Sequence, residues 1–169
     1  AGIKPIIGIE AYMAPNSRHD KQGKFDKDYN HLILLAENNT GYQNLLKLTT
    51  QAHLEGFYYK PRVDWELLEK YHEGIIAMTA CLGGAVPKAI LNNENVEEVI
   101  YKHIKVFGRD NFFLELQHHP EEEKQQKVNN KLIELSKKMM VPLVCTNDVH
   151  YLNPEDAEAQ DILLCLKKK

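Results

Sequence analysis

Five short apolar runs, each set off from the next by a polar loop or a helical pattern, constrain this chain more than any other feature. They lie at residues 5–13 (PIIGIEAYM), 31–36 (HLILLA), 74–79 (GIIAMT), 111–116 (NFFLEL) and 142–146 (PLVCT). Each is nearly continuous rather than alternating, the pattern of a strand buried on both faces in a parallel sheet. Strands separated by helices predict an α/β fold with right-handed crossovers. Five such strands suit an open doubly wound sheet, and equally five staves of a barrel whose first staves are missing.

The intervening segments support that alternation. Residues 14–30 are polar, with Pro15, Asn16 and Gly23, and read as a surface loop. Asn38-Asn39-Thr40-Gly41 supplies turn and cap chemistry, after which Tyr42, Leu45, Leu46 and Leu48 recur at helical spacing to about residue 55. An aromatic, basic loop follows at 56–62 (GFYYKPR), then a short helix at 63–71. Helices are predicted at 86–91 and 96–107. A long one at 120–140 opens on Glu121, Glu122 and Glu123, as the helix dipole favours. Pro154, Glu155 and Asp156 open the last helix.

With 169 residues, 43% of them hydrophobic, the chain can bury the core of one domain. Its formal charge of -3 gives no global attraction to nucleic acid or anionic lipid, so a polyanion would have to meet a local patch. A secretory leader and a membrane-length apolar stretch are both absent, so the expectation is a cytoplasmic protein with no membrane partner. Cys81, Cys145 and Cys165 are odd in number and lack C-x-x-C spacing, which predicts reduced thiols. The chain opens on Ala1 almost directly into an apolar run, and its last helical pattern runs up to Lys167-Lys168-Lys169. This reads as a piece of a longer protein.

The chemistry concentrates at strand ends. Asp148 and His150 follow the fifth run, and two residues apart on an extended backbone they point to one side. A carboxylate and an imidazole together suit a borderline divalent metal. Taken alone the pair also reads as an N-cap Asp beside a surface His. Glu10 interrupts the first apolar run, and a buried carboxylate needs a partner or a cation. His31 opens the second run. Cys81 follows the third inside a turn of small residues, Ala80, Gly83 and Gly84, that lets backbone approach a ligand. A shared rim for all five is the expectation.

Several strings, in order, carry a resemblance: Lys4-Pro-Ile-Ile-Gly-Ile-Glu10, His31-Leu-Ile-Leu-Leu-Ala36, Gly41-Tyr-Gln-Asn-Leu45, Gly56-Phe-Tyr-Tyr-Lys-Pro-Arg62 and Thr146-Asn-Asp-Val-His-Tyr151. Together they resemble the polymerase and histidinol phosphatase (PHP) domain of bacterial DNA polymerase III alpha subunits. The resemblance implies a partial, distorted (β/α)7 barrel with mostly parallel strands, its first strands missing. The PHP domain would fill residues 1–152, and 153–169 would begin a helical connection toward a polymerase core. It implies metal ligands at Glu10 (a bridging carboxylate), His31, Cys81 (a soft ligand), Asp148 and His150. The family's opening His-x-His and the two ligands after it have no counterpart. The ligand positions that are present keep metal-competent residues, as in the metal-bearing class of alpha subunits.

The implied function is DNA-templated DNA synthesis in the parent, supported by magnesium. In this region the resemblance implies a 3′-5′ exonuclease or phosphoesterase site using zinc or manganese, with Asp148 and His150 nearest the activated water. Partners would be DNA and holoenzyme subunits such as the proofreading and clamp subunits. Two alternatives stay open: a catalytically silent platform that docks a proofreading subunit, and a small-molecule phosphoesterase. Lys60 and Arg62 could hold a DNA phosphate, Tyr58 or Tyr59 could stack on a terminal base, and His118 could touch substrate. For the 56–62 loop, the competing reading is a solvated segment whose aromatics pack on the barrel. Met139 and Met140 read as core, Cys145 and Cys165 as inert on apolar faces. His19, His53, His72 and His103 carry no signal.

Overall fold

Side-chain caps set the boundaries of the helices. Asn38 accepts the Gly41 N–H to start α1 (Asn39–Leu54), and Asp64 accepts the Leu67 N–H to start α2 (Trp65–Tyr71). Asn95 accepts the Glu98 N–H at the head of α4 (Val96–Phe107). A short α3 (Ala85–Leu91) precedes it, and α5 (Glu123–Met139) closes on Met140 in the left-handed region. A 3₁₀ turn, Pro154–Asp156, leads into α6 (Ala157–Lys167). These come from a computed structural model that describes residues 2–23 and 28–167. Part of the expected 14–30 loop and the terminal Lys168 and Lys169 lie outside the described residues.

Six strands form one mixed sheet: β1 (Gly8–Met13), β2 (Asn30–Ala36), β3 (Arg62–Val63), β4 (Ile75–Met78), β5 (Phe112–Gln117) and β6 (Leu143–Thr146), in the order β3-β1-β2-β4-β5-β6. Pairs β1–β3, β4–β5 and β5–β6 are parallel, as expected. The expectation fails at β2, which runs antiparallel to both β1 and β4. Among the described residues the 14–29 connection holds no helix, and a parallel return needs a crossover, usually helical, whereas an antiparallel one needs only a loop. The two-residue β3, which takes the last residue of the 56–62 loop and the first of the helix expected at 63–71, was not legible as a strand, being too short to show a period.

One sheet face packs on the helices. Ala11 and Met13, Leu32 and Leu34, Ile75 and Ala77, and Phe112 and Leu114 alternate inward and are buried together with Leu48, Leu68, Ile100, Val128 and Leu132. Each fully buried Leu or Phe contributes about 1.5–3 kcal/mol. The opposite face carries Tyr12, His31, Ile33, Leu35, Ile76 and Phe113, all only partly covered. The sheet is open among the described residues, with β3 and β6 at its edges. On the β3 side only Tyr12 and Met13 of β1 are paired.

Three residues read as core or as lying on apolar faces need correction. Met140 is 76% exposed because the left-handed cap turns it out of the helix. Cys145 is exposed because β6 is an edge strand whose outer face, with Leu143, is uncovered. Cys165 is also exposed, since α6 buries none of its apolar residues. Among the described residues no helix is long and apolar enough to cross a membrane.

Candidate metal centre

The antiparallel course of β2 brings the site together. Its amino end lies at the rim formed by the carboxyl ends of β1 and β4, so His31 faces the same opening as Glu10 and the turn after β4. His31 Nδ1 stands 2.5 Å from Glu10 Oε1 and 3.4 Å from Cys81 Sγ. One ligand atom from each of the three lies within 4.8 Å of the others. The backbone fixes this: the His31 N–H donates to Gly83 O at 3.0 Å, and the Gly83 N–H donates to Cys81 Sγ at 3.4 Å. A Cβ on Gly84 would come within 2.0 Å of the Thr79 carbonyl, so the turn tolerates only glycine there. Tyr29 stacks on the His31 ring at 5.7 Å, and Tyr12 meets it edge-on at 5.4 Å.

Burial pushes the Cys81 thiol above its ordinary pKa. The Gly83 N–H opposes this, while the Asp148 and Glu10 carboxylates reinforce it. A carboxylate, an imidazole and a sulfur converging at this spacing form a donor set that suits zinc or another borderline divalent ion.

Asp148 and His150 stand apart from that trio. The strand ends at Thr146, and Asp148 has a left-handed φ of 50°, so the extended-backbone expectation for the pair does not hold. His150 is exposed, and its Nδ1 lies 2.8 Å from the Asp148 carbonyl and 3.9 Å from the Asp148 carboxylate. The Asp148 charge still acts on Cys81, adding to the rise in its pKa. With His119, Tyr151 and Gln160 the pair lines a groove of about 480 Å³.

A model of the PHP domain matches residues 1–119. The chain belongs to the PHP domain family. It is 54% identical to the DNA polymerase III subunit alpha of Borreliella burgdorferi over 98% of its own length, and 50% identical to that of Aquifex aeolicus over 99%. The corresponding Treponema pallidum protein is 49% identical over 99%. The chain spans about one seventh of these relatives, 14–15% of their length.

Within this PHP domain the remaining expected site residues divide. Arg62 is fully buried, and its guanidinium donates to the carbonyls of Gly56, Arg18 and Asp20 at 3.1, 3.2 and 2.8 Å. It organises the loop from inside and offers no surface for a DNA phosphate. Lys60 Nζ lies 5.3 Å from the Tyr12 ring, which itself touches His31. Tyr59 is exposed beside Tyr58, whose ring covers the Arg62 guanidinium. His118 is exposed, and it is His119 that lines the Asp148 groove.

Two buried polar groups escaped sequence reading. Glu115, inside an apolar run, is 3% exposed and accepts the Ala80 N–H at 2.9 Å; its place within a core strand was a signal of the same kind as Glu10, although Glu10 itself proves exposed and not buried. His103 is buried between the rings of Trp65 and Phe112 and bonds the Val99 carbonyl at 2.8 Å. Burial drives its pKa down to about 4. Nothing in a helical pattern separates such a histidine from a surface one.

Proposed function

We propose that this PHP domain belongs to a replicative DNA polymerase III alpha subunit and carries a metal-dependent phosphodiesterase site acting on the 3′ end of DNA. The observation that carries the reading is the meeting of Glu10, His31 and Cys81 on one rim. Asp148 and His150 would complete the ligand set. Zinc or manganese suits this donor mixture. Such ions, when bound, make a water more acidic and neutralise charge on an in-line phosphoryl transition state. Glu10 and Asp148 would balance the cations' charge, and Lys60 would meet an incoming phosphate.

Similarity over nearly the whole chain supports DNA-templated synthesis, with magnesium, as the activity of the whole protein. DNA and the proofreading and clamp subunits would then be its partners. Residues 1–152 would be the PHP domain and 153–169 the start of the connection to the polymerase core. These long-range similarities also weigh against a small-molecule phosphoesterase. The separation of the exposed His150 from the trio favours one other reading, a silent platform that docks a proofreading subunit.

The deciding measurement is hydrolysis of a 3′-labelled single strand by the intact protein loaded with manganese or zinc. Hydrolysis abolished by Glu10→Gln, with templated synthesis retained, supports the phosphodiesterase. A wild-type protein that holds its metals and leaves the strand intact supports the platform.

A further inference from the structure

Glu115 sits at the junction between the two halves of the rim without being one of the metal-site residues. It is buried, and among the described residues no cation pairs with it. A carboxylate in that state is costly unless every lone pair is occupied. Its partners occupy it from both sides. Oε2 accepts the Ala80 N–H at 2.9 Å, and the Glu115 N–H donates to Thr79 Oγ1 at 2.8 Å. Oε1 accepts a short hydrogen bond from Thr146 Oγ1 and a longer one, 3.3 Å, from Gln117 Nε2.

These contacts reach both halves of the centre. Thr79 and Ala80 immediately precede Cys81, and Ala80 is held at a left-handed φ of 60°, a strained state for a residue with a Cβ. Thr146 is the last residue of β6, two before Asp148. In the β5–β6 ladder Glu115 stands opposite Val144, so its bond to Thr146 is an added diagonal link across that pair. Since β6 is an edge strand held by one neighbour, the link fixes where the Asp148 segment leaves the sheet.

We infer that Glu115 is a positioning residue that ties the Cys81 turn to the Asp148 segment and so sets the spacing of the metal donors. This rests on the metal reading proposed above. Groups that hydrogen-bond a metal ligand directly are worth roughly tenfold to hundredfold in metal affinity, and Glu115, acting through the residues next to Cys81 and Asp148, should fall at the lower end of that range.

Cobalt(II) titration of the intact protein tests it, following the thiolate-to-cobalt absorption that Cys81→Ser removes. Thr146→Val keeps the shape and drops the hydroxyl; Thr146→Ser keeps the hydroxyl; Glu115→Gln removes the charge. Thr146 is half-buried on an edge strand, so its variants report even if Glu115→Gln fails to fold. The expected result is affinity lowered about tenfold or more by Thr146→Val and Glu115→Gln, with Thr146→Ser close to wild type. Folded Thr146→Val and Glu115→Gln proteins that bind cobalt as wild type does would overturn the inference alone. A wild-type protein with no thiolate–cobalt band would overturn the metal reading and this inference with it.

Discussion

Glu10 and His31 touch, Oε1 to Nδ1 at 2.5 Å, although neither stands opposite the other in the β1–β2 ladder. Glu10 faces Ile33 and His31 faces Tyr12, so the two are diagonal neighbours on one face of an antiparallel pair. That diagonal places a carboxylate and an imidazole beside the Cys81 turn, and it exists only because β2 is reversed. The affinity of this trio for a metal depends on protonation, because its ligating forms are deprotonated.

Metal binding should strengthen as pH rises. The ligating form of Cys81 is the thiolate, and its pKa is raised first by burial and then by Asp148 and Glu10. An entering cation must displace that proton, so zinc affinity of the intact protein climbs with pH and zinc uptake releases protons. Competition with a chromogenic chelator across pH measures the slope, which Cys81→Ser should flatten. An unchanged slope in that variant would remove Cys81 from the ligand set.

Asp148→Asn should abolish hydrolysis of a single-stranded 3′ end in the metal-loaded intact protein while leaving templated synthesis near normal. The substitution keeps size and polarity but deletes a charge that acts on Cys81, so thermal melting should be unchanged. Full nuclease activity in a folded, metal-loaded Asp148→Asn protein would rule out this role.

Acid should weaken the fold through His103. Its pKa is about 4 when folded, against about 6.5 when unfolded, so between those values the unfolded state binds the extra proton. Its contribution is complete above pH 6.5 and is lost as pH falls toward 4, amounting to about 3 kcal/mol. Urea unfolding between pH 4 and 7 reads this out. His103→Phe, which keeps the ring between Trp65 and Phe112, should flatten the slope.

Arg18→Met should destabilise strongly. The guanidinium bonds Asp64 at 3.0 Å, and both side chains are over nine-tenths buried. Removing one partner strands a buried charge, at a cost of about 3–5 kcal/mol. Adding Asp64→Asn should recover part of that, because Asn still accepts the Leu67 N–H that caps α2. A single-variant loss below about 1 kcal/mol by urea unfolding would show the pair to be dispensable.

Much of this molecule is written locally. The apolar runs marked β1, β2, β4, β5 and β6, and α4 at Val96–Phe107 lies where its apolar period and the Asn95 cap put it. Glu10, His31 and Cys81 stood out because a charged or reactive side chain inside or beside a core strand needs a partner. Strand direction was not local. A parallel β2 would have sent His31 to the opposite rim, and the choice shows in its pairing with β1 and β4.

Burial was decided at the same level. Arg62 read as a surface cation, but the carbonyls of Gly56, Arg18 and Asp20 converge on it only once the loop has closed. Glu115 and His103 gained their environments from residues more than thirty and nearly forty positions away, respectively, in Ala80 and Trp65. Asp148 lost the extended geometry of its strand to one left-handed dihedral. Residue type and spacing determined which groups this protein could offer to a metal. Only the closing of distant segments on one another, through hydrogen bonds and desolvation with no local sequence signature, decided which of them meet.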